Sequence, residues 1–319
     1  MNPLTPFLER QGVVILDGGL ATELERRGAD LRDALWSARL LLDGAELIRD
    51  VHRAYFEAGA DAAATASYQA SVEGLGRRGL TEAEAVRAMV RSVTLAREAR
   101  DQFWNGPART PDRLWPLVVG SVGPYGACLA DGSEYRGNYG VSREDLTAFH
   151  RPRLEALVEG GVDLIGLETF PSPDEAEAVL RVLESWPRMG CWIGFSCRDG
   201  AHVSEGQAVE EAVRAIASHP QVLAVGVNCV SPGFVDELLG RLARVTTKPL
   251  VVYPNSGETW DAAAKCWTGT ATAFDPAVDA PRWYALGARL IGGCCRTTPE
   301  TISALRRALL GQHPDGGRT

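Results

Sequence analysis

The chain is 319 residues long, with 45% hydrophobic and 23% charged residues and a formal net charge of −8. This composition is that of an ordinary globular protein, and an acidic chain without a basic cluster argues against nucleic acid as a partner. Residues 1–10 lack the basic and apolar regions of a signal peptide, and the apolar runs are too short to span a bilayer, so we expect a cytoplasmic protein with no membrane partner.

Short apolar runs alternate with amphipathic runs along the chain. The apolar runs mostly end in Gly, Asn, Asp or Ser, and they are apolar on both faces, which is typical of strands in a parallel sheet. They predict strands at Val13–Leu16, Ala60–Ala64, Leu117–Gly120, Val162–Leu167, Trp192–Ser196, Leu223–Val227, Leu250–Tyr253 and Arg289–Ile291. The amphipathic runs, several of which open with helix-capping residues, predict helices at Ala45–Ala58, Thr81–Phe103, Ser142–Glu159, Ser172–Trp186, Gln207–Ser218, Pro232–Val245, Val278–Leu286 and Pro299–Leu310.

Eight strands that are each followed by a helix predict an α/β fold of the (β/α)₈ type, a TIM barrel, with the active site at the C-terminal rim of the strands. A doubly wound open sheet is the alternative, and it is less favoured because no Gly-x-Gly-x-x-Gly follows the first strand. No linker interrupts the chain, so we expect a single domain over residues 1–312. The polar residues 313–319 are expected to form a disordered tail.

Two predicted connections are long. Trp104–Trp115 carries three prolines and is expected on the surface. Gly123–Val141 is rich in Gly and Tyr and follows the third strand, so in a barrel it lies on the face that carries the active site. It is interpreted either as a structured surface loop or as a lid or binding loop.

Seven cysteines in a chain without a leader do not suggest a disulfide framework. Cys229 follows the sixth predicted strand, and Cys294 with Cys295 follows the eighth, so all three are expected on one rim. Three thiolates there suit a tetrahedral zinc with one open position, provided that Gly292 and Gly293 let the chain leave strand geometry. Spacing alone leaves open that these thiols are buried small hydrophobic groups, which is our interpretation of the remaining cysteines, Cys128, Cys191, Cys197 and Cys266.

At these cysteines the sequence resembles the homocysteine S-methyltransferase family. Gly226-Val-Asn-Cys229 and Gly292-Gly-Cys-Cys295 match its zinc-binding segments, and this pair of motifs is highly specific. Further matches run in family order over nearly the whole chain, at Asp17-Gly-Gly19 with Thr22-Glu23, Thr65-Ala-Ser-Tyr-Gln69, Gly120-Ser-Val-Gly-Pro-Tyr-Gly126, Glu168-Thr169 and Tyr253-Pro-Asn-Ser-Gly-Glu258.

The resemblance implies a (β/α)₈ fold with Zn²⁺ held by Cys229, Cys294 and Cys295, which would be both metal ligands and catalytic residues. It implies transfer of a methyl group to the zinc-bound thiolate of homocysteine, giving methionine. Within the family, the segments from Asp131 to Gly137 and from Tyr253 to Glu258 look closest to members that use a sulfonium donor, S-methylmethionine or S-adenosylmethionine, and less like betaine or folate users. The chain has no second region for folate or cobalamin. The implied partners are therefore two small molecules, homocysteine and the donor.

The resemblance and the rim position also suggest substrate-binding residues. The carboxylates of Asp17 and Glu168 are candidates to bind the ammonium group of the amino acid, although Asp17 also suits a turn. Asn228 and Asn255 are candidates to fix a carboxylate or orient ligands, or are turn residues. Aromatic faces stabilise sulfonium-type cations, which makes candidates of three rim tyrosines, Tyr68, Tyr125 and Tyr135. His202, after the fifth strand, is the one histidine near the rim.

Two rival functions use the same barrel. A zinc-dependent hydrolase or lyase would keep water in the open position, but an all-thiolate set donates charge and makes zinc a poorer Lewis acid. A non-catalytic module would close its zinc with four protein ligands, and Cys128 or Cys197 would be the fourth. Betaine as the donor also stays open, as do selenium-containing acceptors, the oligomeric state and the choice between methionine synthesis and donor salvage.

Overall fold

The protein is described from a computed structural model, which covers residues 2–31, 40, 41, 43–261, 266–271 and 274–311, with the backbone alone at 259, 260 and 266. The predicted tail at 313–319 lies outside the described residues. No helix in the described ranges is both long and apolar enough to cross a bilayer.

Eight parallel strands form one sheet that nearly closes on itself. In ring order, the strand Val14–Ile15 pairs with Ala288–Ile291, and from there each barrel strand pairs with the one before it along the chain, back to Ala62–Ala64. A bridge between Leu16 and Ala62 joins the two ends. The predicted (β/α)₈ barrel is confirmed. Its strands are β1 (Val14–Ile15), β2 (Ala62–Ala64), β3 (Leu117–Val122), β4 (Leu164–Phe170), β5 (Cys191–Phe195), β6 (Val222–Asn228), β7 (Leu250–Tyr253) and β10 (Ala288–Ile291).

Helices connect these strands, and every helix predicted from the sequence is present. They are α1 (Thr5–Gln11), α2 (Leu20–Arg26), α3 (Ala45–Ala58), α4 (Val72–Gly76), α5 (Glu82–Asn105), α6 (Tyr125–Leu129), α7 (Arg143–Gly160), α8 (Pro173–Leu183), α9 (Val209–Ala217), α10 (Pro232–Leu242), α11 (Pro276–Ala285) and α12 (Pro299–Leu310). The sequence analysis missed the short ones, α1, α2, α4 and α6.

Local signals explain where the long helices begin. Thr81 and Glu84 form a reciprocal capping box at the start of α5. The hydroxyl of Ser142 accepts a hydrogen bond from the Asp145 N–H at the start of α7. Pro173 occupies the first turn of α8, where its missing N–H costs nothing.

Two apolar layers hold the barrel together. Alternate strand residues point inward and fill the barrel interior, among them Val119, Leu164, Trp192, Val251 and Leu290. Their neighbours along each strand point outward and pack under the helices. The interior is therefore a packed core, and only the mouths of the barrel are left for function.

Two smaller elements lie at the carboxyl rim. A 3₁₀ helix, Ser133–Tyr135, falls within the long connection after β3. After β7, an antiparallel hairpin is formed by β8 (Thr259–Asp261) and β9 (Cys266–Thr268), which the sequence analysis did not predict. Both elements stand over the end of the barrel at which the predicted cysteines emerge.

Candidate active site

Three thiols converge at the carboxyl rim. Cys229 follows β6 directly, and Cys294 and Cys295 follow β10. The Sγ atoms of Cys229 and Cys295 are 3.7 Å apart, those of Cys294 and Cys295 are 4.0 Å apart, and all three sulfurs lie within 4.8 Å of one another. The structure thus brings together the three residues that the sequence placed on one rim, in a cluster able to hold a metal ion.

The backbone leaves strand geometry to make this cluster possible. Cys229 adopts a left-handed conformation with φ of 50°, and its N–H donates to the Tyr253 carbonyl over 2.9 Å. After β10, a Cβ on Gly292 would lie 2.5 Å from the Leu16 Cβ, and a Cβ on Gly293 would lie 2.3 Å from the Thr297 Oγ1. Only glycine fits these two positions, which let the adjacent cysteines turn toward the same point.

The cluster opens onto a cleft of about 280 Å³. Four carboxyl side chains line this cleft, those of Asp17, Glu25, Glu134 and Glu168. Among the described residues, no lysine, arginine or histidine lines it. A cleft with this charge is suited to positively charged ligands.

Asp17 and Glu168 are both held at the cleft by hydrogen bonds. The Ala64 N–H donates to the Asp17 Oδ2 over 2.9 Å, and the Ser121 hydroxyl donates to the Glu168 Oε2. Burial raises the pKa of Asp17 well above its usual range, and the Glu168 charge raises it further. Burial also raises the pKa of Glu168, to about 7. A cationic ligand would therefore stabilise the charged forms of both carboxyls.

Asn228, the last residue of β6, fixes the backbone beside Glu168. Its Oδ1 accepts from the Thr169 N–H over 2.6 Å, and its Nδ2 donates to the Thr169 Oγ1 over 2.8 Å. These two bonds hold Thr169 in the left-handed region, with φ of 64°. Gly194 on the neighbouring strand leaves the space, since a Cβ there would lie 2.4 Å from the Asn228 Oδ1.

The rim tyrosines divide between two places. Tyr68 and Tyr135 line the cleft, and the Tyr135 hydroxyl lies 3.0 Å from the Cys229 Sγ. Tyr125 does not line it, because its ring packs 5.5 Å from the Tyr139 ring and 4.9 Å from the Phe149 ring. It borders a separate cavity of about 520 Å³ instead, so the structure does not bring Tyr125 together with the other candidates.

Two further candidates lie behind or beside the cleft. Asn255 does not line it; its Nδ2 donates to the Cys229 carbonyl over 3.2 Å, and its own N–H donates to the Val230 carbonyl over 3.0 Å. This places Asn255 as a support for the turn that carries Cys229. His202 pairs with Asp199 at 3.0 Å and is also outside the cleft lining.

The sequence analysis missed Glu134. This residue lies on the 3₁₀ helix and is 7% exposed, and burial raises its pKa to about 7. A Cβ on Gly126 would lie 2.6 Å from the Glu134 nitrogen, so glycine lets the two turns of this loop meet. The loop was singled out by its position and its Gly and Tyr content, but such content does not tell which side chain of a loop faces the cleft.

The other described cysteines stay apart from the cluster. Cys128, Cys191 and Cys197 are free, and none of them belongs to the group of three within the described residues. Burial raises the pKa of all three thiols, that of Cys191 to about 12. Neither Cys128 nor Cys197 is thus placed as a fourth ligand, and the side chain of Cys266 lies outside the described residues.

These observations define the class of protein. It is a (β/α)₈ barrel whose carboxyl rim carries three cysteines that can hold a metal ion and that line an acidic cleft. The family model for homocysteine S-methyltransferase matches residues 14–309. The chain belongs to the homocysteine S-methyltransferase family.

Individual relatives match over nearly their whole length. Homocysteine S-methyltransferase YbgG of Bacillus subtilis (strain 168) is 48% identical over 305 residues, covering 96% of this chain and 97% of the relative. Homocysteine S-methyltransferase of Escherichia coli (strain K12) is 49% identical over 306 residues, covering 96% and 98%. The crystal structure of the homocysteine methyltransferase MmuM from Escherichia coli, in its metallated form, has a TM-score of 0.85 at 48% identity and covers 96% of this chain and 99% of that chain.

Proposed function

We propose that the protein transfers a methyl group from a sulfonium donor, S-methylmethionine or S-adenosylmethionine, to the sulfur of homocysteine, giving methionine. The observation that carries this proposal is the three-thiol cluster, whose three cysteines line the acidic cleft. The names of the relatives from Bacillus subtilis and Escherichia coli support the acceptor.

The spacing and chemistry of the thiols support zinc as the metal at Cys229, Cys294 and Cys295. Four sulfurs around zinc at about 2.3 Å would be about 3.8 Å apart, and two of the sulfur pairs lie 3.7 and 4.0 Å apart. Thiolates are soft ligands that favour zinc over magnesium or calcium. When bound, zinc would take the homocysteine sulfur in its open position and hold it as the thiolate, the reactive form.

The protein side chains would orient the acceptor. We infer that Asp17 and Glu168 bind the homocysteine ammonium through charge-assisted hydrogen bonds, because both are half-buried carboxyls with raised pKa values at the cleft. Asn228 would act through the Thr169 backbone, which it holds beside Glu168. Asn255 would keep Cys229 in its turn.

The donor would lie on the open side of the cleft, against the rings of Tyr68 and Tyr135. Aromatic faces stabilise a sulfonium through the ring quadrupole. Methyl transfer to sulfur requires no proton removal from the donor, so the main catalytic task is to hold the methyl group in line with the acceptor sulfur.

The test is an assay of methionine formation by mass spectrometry. Zinc-loaded protein is incubated with homocysteine and, in separate reactions, with S-methylmethionine, S-adenosylmethionine or betaine. We expect methionine from a sulfonium donor, lost on chelation and restored by zinc. Methionine from betaine alone would refute the donor class, and no methionine from any donor would favour the hydrolase or lyase function.

Replacement of Cys229 by alanine tests the metal site separately. We expect Cys229→Ala to lose bound zinc and methyl transfer while keeping the circular dichroism spectrum of the barrel. The matched control is Cys191→Ala, which removes a buried thiol remote from the cluster and should keep about one zinc per chain. Full zinc content and activity in Cys229→Ala would show that the ligand assignment is wrong.

A further inference from the structure

Apart from the exposed Glu25, the acidic groups that line the cleft fall at two positions. Asp17 lies between β1 and β2, where its carboxylate accepts the Ala64 N–H, and the Glu168 charge acts on it. Glu134 is held over β5, because its carbonyl accepts from the hydroxyl of Ser196, the residue that follows this strand. The charges of Cys229 and Asp131 also raise the pKa of Glu134. Glu134 is not among the charges that act on Asp17 or Glu168, so it belongs to a second acidic position, above β5.

One oxygen of the Glu134 carboxyl lacks a partner among the described residues. The side chain is more than nine-tenths buried, it lines the cleft, and its Oε2 has no hydrogen-bond partner among the described residues. A buried carboxyl without a partner costs free energy. Perturbed buried acids of this kind are found at functional sites more often than elsewhere, and a cationic ligand in the cleft would satisfy this oxygen.

The reaction itself decides which cation suits this position. The donor and the acceptor of the proposed reaction are both α-amino acids, so the site must bind two ammonium groups. Asp17 and Glu168 would bind the first, that of homocysteine. The positive charge on the donor sulfur disappears during transfer, so a carboxylate in contact with it would stabilise the reactant more than the transition state. The ammonium charge does not change. A carboxylate can bind it without slowing the chemical step.

We propose that Glu134 binds the α-ammonium group of the methyl donor and so selects sulfonium compounds that are amino acids. This inference rests on the proposed function for its account of which substrate lies where. It assigns Glu134 a role in donor specificity, while methyl transfer itself stays with the thiol centre.

The test compares Glu134→Gln, which keeps the shape of the side chain, with the wild-type protein. The control is Glu144→Gln, which removes an exposed carboxylate on α7 that does not line the cleft. S-methylmethionine binding is measured by titration calorimetry on the zinc-loaded proteins. Turnover is measured with S-methylmethionine and with trimethylsulfonium, a donor that has no ammonium group.

For Glu134→Gln we expect the Kd and KM of S-methylmethionine to rise tenfold or more, a change of about 1.4 kcal/mol. The KM of homocysteine and the kcat/KM of trimethylsulfonium should stay within twofold, and Glu144→Gln should match the wild-type protein. Equal losses with both donors, or a rise in the homocysteine KM, would show a structural or acceptor-side role and overturn the proposal.

Binding separates this proposal from the proposed function. If wild-type protein binds S-methylmethionine but forms no methionine, the proposed reaction fails, and the Kd of Glu134→Gln still decides the role of Glu134. If wild-type protein does not bind S-methylmethionine, the role proposed for Glu134 is wrong, whatever other donor supports turnover.

Discussion

Asn228 has two structural roles, one through its backbone and one through its side chain. It closes β6 with its backbone, while its side chain replaces the hydrogen bonds that Thr169 gives up by adopting a left-handed conformation. Left-handed non-glycine residues cost free energy, and they persist where surrounding bonds enforce them, commonly at functional sites. Thr169, the residue held in this conformation, directly follows Glu168.

Asn228→Ala should therefore affect both stability and substrate binding. The buried Thr169 N–H would lose its acceptor, which costs about 1–3 kcal/mol in the free energy of unfolding. With Thr169 free to relax, the adjacent Glu168 carboxylate would shift and the KM of homocysteine should rise. Urea unfolding and steady-state kinetics measure the two effects. A variant with an unchanged homocysteine KM would contradict the link between Thr169 and Glu168.

At the scale of elements, α7 anchors two of the rim loops. Arg153 on this helix is 1% exposed and donates to three carbonyls, those of Ala70, Gly123 and Tyr68, each over 2.8 Å. One guanidinium thus ties the loop after β2 to the loop after β3. Because Tyr68 lines the cleft, this helix positions a site residue from behind.

Arg153→Met should lower the free energy of unfolding by about 3 kcal/mol or more, since each hydrogen bond to a charged group contributes about 1.5–3 kcal/mol. It should also raise the KM of the donor, because Tyr68 loses its anchor. The control is Arg151→Met on the same helix, whose side chain is 46% exposed and whose replacement should change stability by less than about 0.5 kcal/mol. Equal stabilities of the two variants would refute the anchoring role.

The elements also show what the sequence can predict. The barrel strands and long helices were predictable because burial on both faces and capping residues leave local patterns, as at β3 and α5. The three thiols were predictable because strand order alone brings the ends of β6 and β10 to one rim. The positions of Tyr125 and Glu134 depend on how one loop folds through α6 and its 3₁₀ helix, and no local periodicity encodes that path.

At the scale of the whole molecule, acid stability should depend on a buried histidine. His52 on α3 is fully buried, neither ring nitrogen has a partner among the described residues, and burial lowers its pKa from 6.5 to about 4. As the pH falls below 6.5, the unfolded chain binds this proton before the folded protein does. The stability associated with neutral His52 is present above pH 6.5 and is lost between pH 6.5 and 4.

His52→Leu removes this titration. We expect the free energy of unfolding of the wild-type protein to fall, relative to that of the variant, by up to about 1.4 kcal/mol per pH unit between pH 6.5 and 4. Chemical unfolding at several pH values measures both slopes. His219→Leu, at a half-buried position, serves as the comparison. Parallel curves for wild type and His52→Leu would show that His52 does not contribute to acid sensitivity.

The pairing of β1 with β10 has a consequence for biosynthesis. Val14 pairs with Leu290 and Ile15 with Ile291, so the first strand made by the ribosome waits for the last one. At about 5–20 residues per second, that wait is on the order of 15–55 s. During this time the apolar first strand lacks its partner β10, and Cys294 and Cys295 have not yet been made. The segment that closes the barrel at β1 therefore also brings in the second and third thiols of the centre.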